Sequence, residues 1–431
     1  MKITIISTFD TFGGASISGL RLHQAFLKNG VESSMLVQEK KSNLPTIKTV
    51  SSNWFHAKMS FLRFALDRLQ FWFYEKSKEV RFVFSTALIG IDISEYKVVK
   101  EAEILHLFWI NFGFLSLDSI KKLGETNKPI IWNLQDMWAF TGGCHYSGDC
   151  LNYEKSCGNC VQFLKNPSEE DLSRNTWERK LDKFRNLNLT IVSSSDWLAQ
   201  KARESSLFKD LKVITIPTPI DVEIFRPTPK DVAATFFQLS PEKKYILFAA
   251  VKISDKRKGF TYFKEAFSML DARLSNPEHR TSNPEHRKEN VEILIFGQAQ
   301  ASDFEGLPFK VNILGRLSDL ETIAKAYSAA SVFVIPSLED NLPNTVIESM
   351  ACGTPVVGFN TGGIPEMIDH NITGYVADYK SSEDLAKGIY WTLFESDYQV
   401  LLDNSRQKVL DNYSEKVIAE KYRKVYQSLV G

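Results

Sequence analysis

Short apolar runs alternate with longer amphipathic ones along this chain. Residues 3–6, Ile-Thr-Ile-Ile, predict a strand. Residues 16–28 set Ile17, Leu20, Leu22, Ala25, Phe26 and Leu27 at near-helical spacing, and 31–36 read as the next strand. Further strands are expected at 104–107, 130–133, 189–193 and 213–216. This βαβ rhythm predicts a parallel sheet with helices on both faces. Proline-rich punctuation at 217–219 and 226–229 interrupts it. The rhythm then restarts, with strands at 245–250, 291–296, 310–313, 332–335 and 355–358. The economical division is a first domain over 1–216, a linker over 217–240 and a second α/β domain over 241–405. The closing segment, 406–431, carries a helix over about 414–429 that is expected to pack back on the first domain.

Length supports this division, since 431 residues make two or three domains at roughly 150 each. Lys+Arg and Asp+Glu both number 52, and zero net charge argues against nucleic acid as the main partner. The N-terminal apolar run is too short for the core of a signal peptide. The chain offers no stretch of about 18 apolar residues to cross a bilayer, so the expected compartment is the reducing cytoplasm. A six-residue sequence, Ser-Asn-Pro-Glu-His-Arg, occurs at 275–280 and again at 282–287. Its prolines exclude a heptad, so a duplicated surface loop is the simpler reading.

Two loops attract attention chemically. Gly13 and Gly14 stand between the first strand and the first helix, where glycine allows close backbone approach and a helix N-terminus faces an anion. The loop matches neither a dinucleotide nor a Walker fingerprint, and a plain tight turn explains it equally well. The second loop, 336–343, leaves a strand and enters a short helix that Gly353-Thr354-Pro355 stops. Ligands of open α/β sheets bind at such carboxyl ends. Asp340 in the loop and Glu348 one turn into the helix are eight residues apart and are placed to border one cleft, where carboxylates accept hydrogen bonds from sugar hydroxyls. The amides of 344–346 would face a phosphate.

These residues resemble the signature of the GT-B glycosyltransferases of family 4, E-x7-E ahead of a small-residue helix, here D-x7-E from Asp340 to Glu348. The Asp-Asn-Leu-Pro-Asn-Thr-Val version resembles a bacterial branch with colanic-acid-type exopolysaccharide transferases. The resemblance takes in the glycine loop, His106-x-x-Trp109, Asp136-Met137-Trp138, Ile220-Asp221 with Phe225, and Lys258-Gly259. It implies two Rossmann-like domains whose parallel sheets face a central cleft. It also implies a metal-independent, retaining hexosyltransferase that moves a sugar from a nucleotide-diphosphate donor to a growing cell-surface glycan: exopolysaccharide, capsule or O-chain.

By that resemblance Asp340, Lys258 and Asp136 carry the catalysis. Glu348 holds the ribose, Asp340 with Asn341, Leu342, Asn344 and Thr345 the donor sugar, and Lys258 the pyrophosphate. The family's second cation, an arginine of a Gly-Arg-Leu segment, has no counterpart at Ala250-Val251-Lys252, so Lys252 or Arg257 is expected to replace it. Gly315 and Arg316 match the nucleobase region, and Gly13 and Gly14 the diphosphate or acceptor side. His106, Trp109 and Gln135 would line the acceptor side. Aspartate at 340 shortens the reach by one methylene, and Gln135 stands where relatives often carry histidine. An impaired transferase serving as an assembly partner and a nucleotide-sugar epimerase are the alternatives.

The resemblance implies no cofactor for catalysis, and the chain contains no Asp-x-Asp triplet to hold Mg²⁺. Cys144, Cys150, Cys157 and Cys160 lie within an insert at 141–162. They form the donor set of a structural Zn²⁺, with His145 as a substitute ligand, or else disulfides or plain thiols. Cys352 reads as a packed core thiol. Residues 54–81 interleave Trp54, Phe55, Phe61, Phe64, Phe71 and Trp72 with Lys58, Arg63, Arg68, Lys76, Lys78 and Arg81. Either a helix pair packs these aromatics inward, or a basic helix lies on the inner membrane face near a lipid-linked acceptor.

Overall fold

The computed structural model describes residues 1–252, 255–275 and 288–430, so most of the duplicated hexapeptide lies outside the described residues. It divides into two compact units, Met1–Pro219 with Ile418–Gly431, and Ile220–Val417.

The first unit is built on seven parallel strands in the order β3-β2-β1-β4-β5-β6-β7. These are β1 (Lys2–Phe9), β2 (Glu32–Glu39), β3 (Ile47–Thr49), β4 (Ile104–Leu107), β5 (Ile130–Leu134), β6 (Leu189–Ser193) and β7 (Lys212–Thr215). Strand alternation sends Ile3 and Ile5 to one face, against Leu22 and Phe26 of α1 (Gly14–Lys28), while Ile6 joins Leu105, Leu107 and Trp132 on the other. Burial on both faces explains the near-continuous apolar strands. The C-terminal helix Glu415–Val430 belongs here: Ile418, Tyr422 and Tyr426, spaced at four-residue steps, are buried in the same core as Phe26. α2 (Trp54–Trp72) follows β3, with Asn53 as its N-cap accepting from the His56 amide. It is one helix, and its aromatics are mostly exposed rather than packed inward.

The second unit repeats the plan with six parallel strands, β10-β9-β8-β11-β12-β13. They are β8 (Lys244–Lys252), β9 (Val291–Gln298), β10 (Val311–Gly315), β11 (Val332–Ile335), β12 (Val356–Phe359) and β13 (Gly374–Ala377). Ile246 and Phe248 face one core, Tyr245 and Leu247 the other. From Ile220 onward the stretch read as a linker is part of this unit: Ile220, Phe225 and Ala233 are buried in its core, and the Ile220 amide donates to the Tyr413 carbonyl. The apolar spacing of those three residues accounts for the difference, since a tether has no core to fill.

In both sheets the order runs outward in opposite directions from one strand pair, β1/β4 in the first and β8/β11 in the second. Ligands of doubly wound sheets bind at the carboxyl ends beside that reversal.

Candidate active site

At the reversal of the second sheet, the loops after β8 and β11 are locked together. A turn at Lys256–Lys258 is opened by Asp255, whose carboxylate accepts from the Arg257 amide and lies 2.9 Å from the Arg257 guanidinium. The Leu338 amide donates to the Arg257 carbonyl at 2.7 Å. Gly259 follows at φ +67°, and a Cβ there would lie 1.7 Å from the Pro336 carbonyl oxygen. Only glycine permits this approach. The result is an ion pair between Lys258 Nζ and Asp340 Oδ2 at 2.6 Å, bridging 82 positions of sequence.

A second glycine secures the other side of Asp340. Gly362 adopts φ +58°, where a Cβ would meet the Asp340 carbonyl oxygen at 1.8 Å, and the Gly363 amide donates to that carbonyl. Thr361 Oγ1 and the Tyr379 hydroxyl both donate to the Leu338 carbonyl. Glu348 lies on the helix Asn344–Ala351, and the Tyr327 hydroxyl donates to its Oε2 at 3.0 Å. The helix begins after Pro343 with no side-chain cap, and Asn344 and Thr345 stand half-buried in its first turn. Asp340, Lys258 and Glu348 are likewise half-buried, so carboxylates and ammonium are shaped by the protein but reached by solvent.

Several expected residues sit elsewhere. Leu342 packs into the core with Val346 and Met350, so its side chain is not directed to a ligand. The Val346 amide is engaged with the Pro343 carbonyl. Lys252 ends β8, and its side chain lies outside the described residues. Gly315, at φ +71°, and exposed Arg316 lie at the end of the edge strand β10. Tyr327 and Tyr379 were not legible as site residues, because tertiary folding alone brings them to Glu348 and the Asp340 loop.

The reversal of the first sheet is chemically different. Gly13 precedes α1 at φ +80°, with open space where a Cβ would stand, and no side chain caps the helix. His106 corrects an expectation: it lies inside β4, fully buried, with Nδ1 2.8 Å from the Tyr426 hydroxyl. Strand alternation points it into the C-terminal helix instead of toward an acceptor. Asp136 is also committed. Its Oδ2 accepts from Trp109 Nε1 at 3.1 Å and pairs with His145 Nδ1 at 2.7 Å, while Oδ1 accepts from the Trp138 amide. Three donors make Asp136 a clamp joining the loops after β4 and β5, and Trp109 part of that clamp. Gln135 Nε2 donates to Asn133 Oδ1 at 2.6 Å. His145 Nε2 lies 3.2 Å from Ser85 Oγ, completing a serine–histidine–aspartate line. Ser85 is fully buried and also receives Arg68, which makes the line structural, not nucleophilic. With both ring nitrogens engaged, His145 is not a substitute metal ligand.

The four insert cysteines are free thiols lining one cavity of about 460 Å³. Burial pushes Cys157 up to about 12 and Cys160 up to about 11, and raises Cys144 further, so these remain protonated. Among the described residues no group of three or more ligating side chains is gathered closely enough to hold a metal.

Residues 243–394 match the family model described as Glycosyl transferases group 1. That stretch is similar to the group 1 glycosyl transferases. Lys258, Asp340 and Glu348 all fall within it. Relatives of this chain include a D-inositol 3-phosphate glycosyltransferase of Segniliparus rotundus, 27% identical over 177 residues, which is 39% of this chain and 36% of that one. The amylovoran biosynthesis glycosyltransferase AmsK of Erwinia amylovora is 36% identical over 72 residues, 15% of this chain and 18% of that one. The chain thus matches well under half the length of these curated relatives. Over the whole chain, the structure of Anabaena Alr3699/HepE in complex with UDP superposes with a TM-score of 0.63 at 13% identity, covering 100% of both. The fold is therefore GT-B, two Rossmann-like units, of which the second contains the matched stretch.

Proposed function

We propose that the chain transfers a sugar from a nucleotide-diphosphate donor to a growing cell-surface glycan, with retention of configuration and no metal. The observation that carries this is the Lys258–Asp340 pair, held by two positive-φ glycines at the sheet reversal of the second unit, within the matched stretch. The AmsK likeness supports a glycan product, and the UDP bound to Alr3699/HepE supports a nucleotide-linked donor. In this reading Lys258 and the first turn of the helix Asn344–Ala351 stabilise negative charge on the departing diphosphate. Asp340 orients the donor sugar, and Glu348, braced by Tyr327, accepts from the ribose hydroxyls. The acceptor hydroxyl attacks on the face the diphosphate leaves, and its proton passes to a phosphate oxygen. Asp136, committed to three donors, serves here as a brace for the first unit and not as a nucleophile.

Calorimetric titration with UDP, GDP and ADP in the presence of EDTA tests this. Binding of one nucleotide, weakened at least about tenfold in Glu348→Ala by loss of charged hydrogen bonds, is expected. Absence of binding to all three would overturn the donor assignment and favour an assembly role without turnover.

A further inference from the structure

α2 is amphipathic the wrong way round for a helix in water. Its inward side carries the polar Ser60, Asp67 and Arg68 beside Phe71, all buried. Its outward side carries Trp54, Phe61, Leu62, Leu69 and Trp72, all exposed, with Trp54 and Phe61 at 70%. Steps of three, seven and eight residues put these on one broad stripe. The inward polar groups are paid for by pairing: Arg68 lies 2.5 Å from Asp67 and donates to the Arg81 and Phe84 carbonyls. Asp67 and Glu75 are thus both buried against arginines, Arg68 and Arg81. The cations Lys58, Lys76 and Lys78 stay exposed on the outer side or beyond its end, Lys58 over the Trp54 ring at 3.9 Å. Large apolar side chains exposed together on one helix face mark an interaction site. α2 is not apolar enough to span a bilayer.

The same helix roofs a cavity of about 400 Å³ in the first unit, lined by Phe9, Phe12, Phe61, Phe64 and Phe112. Phe61 belongs to both the exposed stripe and the cavity wall. The cavity opens at the carboxyl ends of β1 and β2, beside the β1/β4 reversal.

We infer that the outward face of α2 docks on an anionic bilayer surface and that the adjoining aromatic cavity takes a hydrocarbon chain from it. Tryptophans and flanking lysines match the interfacial and headgroup layers respectively, and the one acid of α2, Asp67, is withdrawn from the contact. The position at a sheet reversal makes the chain part of this unit's ligand, an acceptor carried on a lipid; that last step rests on the transferase reading, whereas docking does not.

The test is flotation of the full chain with phosphatidylcholine vesicles and with vesicles containing about a third phosphatidylglycerol. Binding to the second, falling at least tenfold in a Trp54→Ser, Leu69→Ser, Trp72→Ser variant of unchanged unfolding temperature, is expected. cis-Parinaric acid should fluoresce on binding the wild type and lose that signal in Ala57→Trp, which fills the cavity from an exposed helix position. Equal failure on both vesicles overturns docking. So does a wild-type dimer in light scattering that the triple variant converts to monomer, since the face would then cover a second copy. Parinaric acid binding unaffected by Ala57→Trp overturns the cavity assignment. UDP, GDP and ADP titration reads the second unit alone, so failure of the donor reading is told apart from failure of docking.

Discussion

The two sheets share one strand order through their first six strands, yet the ground at their reversals differs in kind. Beside β8 and β11 stand Lys258, Asp340 and Glu348, with Gly259 and Gly362 letting backbone pack against backbone. Beside β1 and β4 stand Phe9, Phe12 and Phe112, and the polar groups Trp109, Asp136 and His145 are spent on one another. The scaffold thus supplies a place for ligand, and the loops decide its chemistry: charge and small residues in the second unit, aromatic surface in the first.

The sharpest way to break this contrast is Gly259→Ala. The added methyl meets Pro336 and a left-handed backbone, costing about 1–3 kcal/mol for the backbone alone and displacing Lys258. Nucleotide binding should vanish while tryptophan-monitored unfolding barely moves, because seven of the eight tryptophans lie in the first unit. Lys258→Met, which keeps the turn but removes the cation, should lower sugar transfer by about 10²–10³ in a donor-turnover assay, the usual cost of one transition-state donor.

Acid probes the first unit. Burial holds His23 down to about 4 and His106 down to about 3. The unfolded chain therefore takes up their protons first. Stability is whole above about pH 6.5 and declines as pH falls toward those values, by about 1.4 kcal/mol per unit for each histidine. Urea unfolding followed by tryptophan emission at pH 7.5 and 5 should show the loss, and His23→Gln should halve it. The smallest effect is expected of Trp109→Phe, which leaves the Asp136 clamp one donor short and costs about 1–2 kcal/mol in the same urea experiment.

Most of the architecture was legible because central strands, buried on both faces, must be apolar. The strands that escaped notice, β3 and β13, are edge strands of three and four residues, too short to show a period. Asp340 and Glu348 were legible from spacing within one loop and helix. Tyr327 was not, because its hydroxyl reaches Glu348 only through tertiary packing. Apolar positions of α2 read naturally as core, yet periodicity states which residues share a face and not which face turns inward. Buried Asp67 and Arg68 settle that question by pairing with each other.

The central claim is that nucleotide chemistry belongs to the second unit. Calorimetric titration of the bound nucleotide into wild type, Lys258→Met and Trp109→Phe tests it most directly. The account predicts binding weakened at least about tenfold by Lys258→Met, the loss of a charge-assisted contact, and unchanged by Trp109→Phe. Equal affinity in wild type and Lys258→Met, or a loss confined to Trp109→Phe, would contradict it.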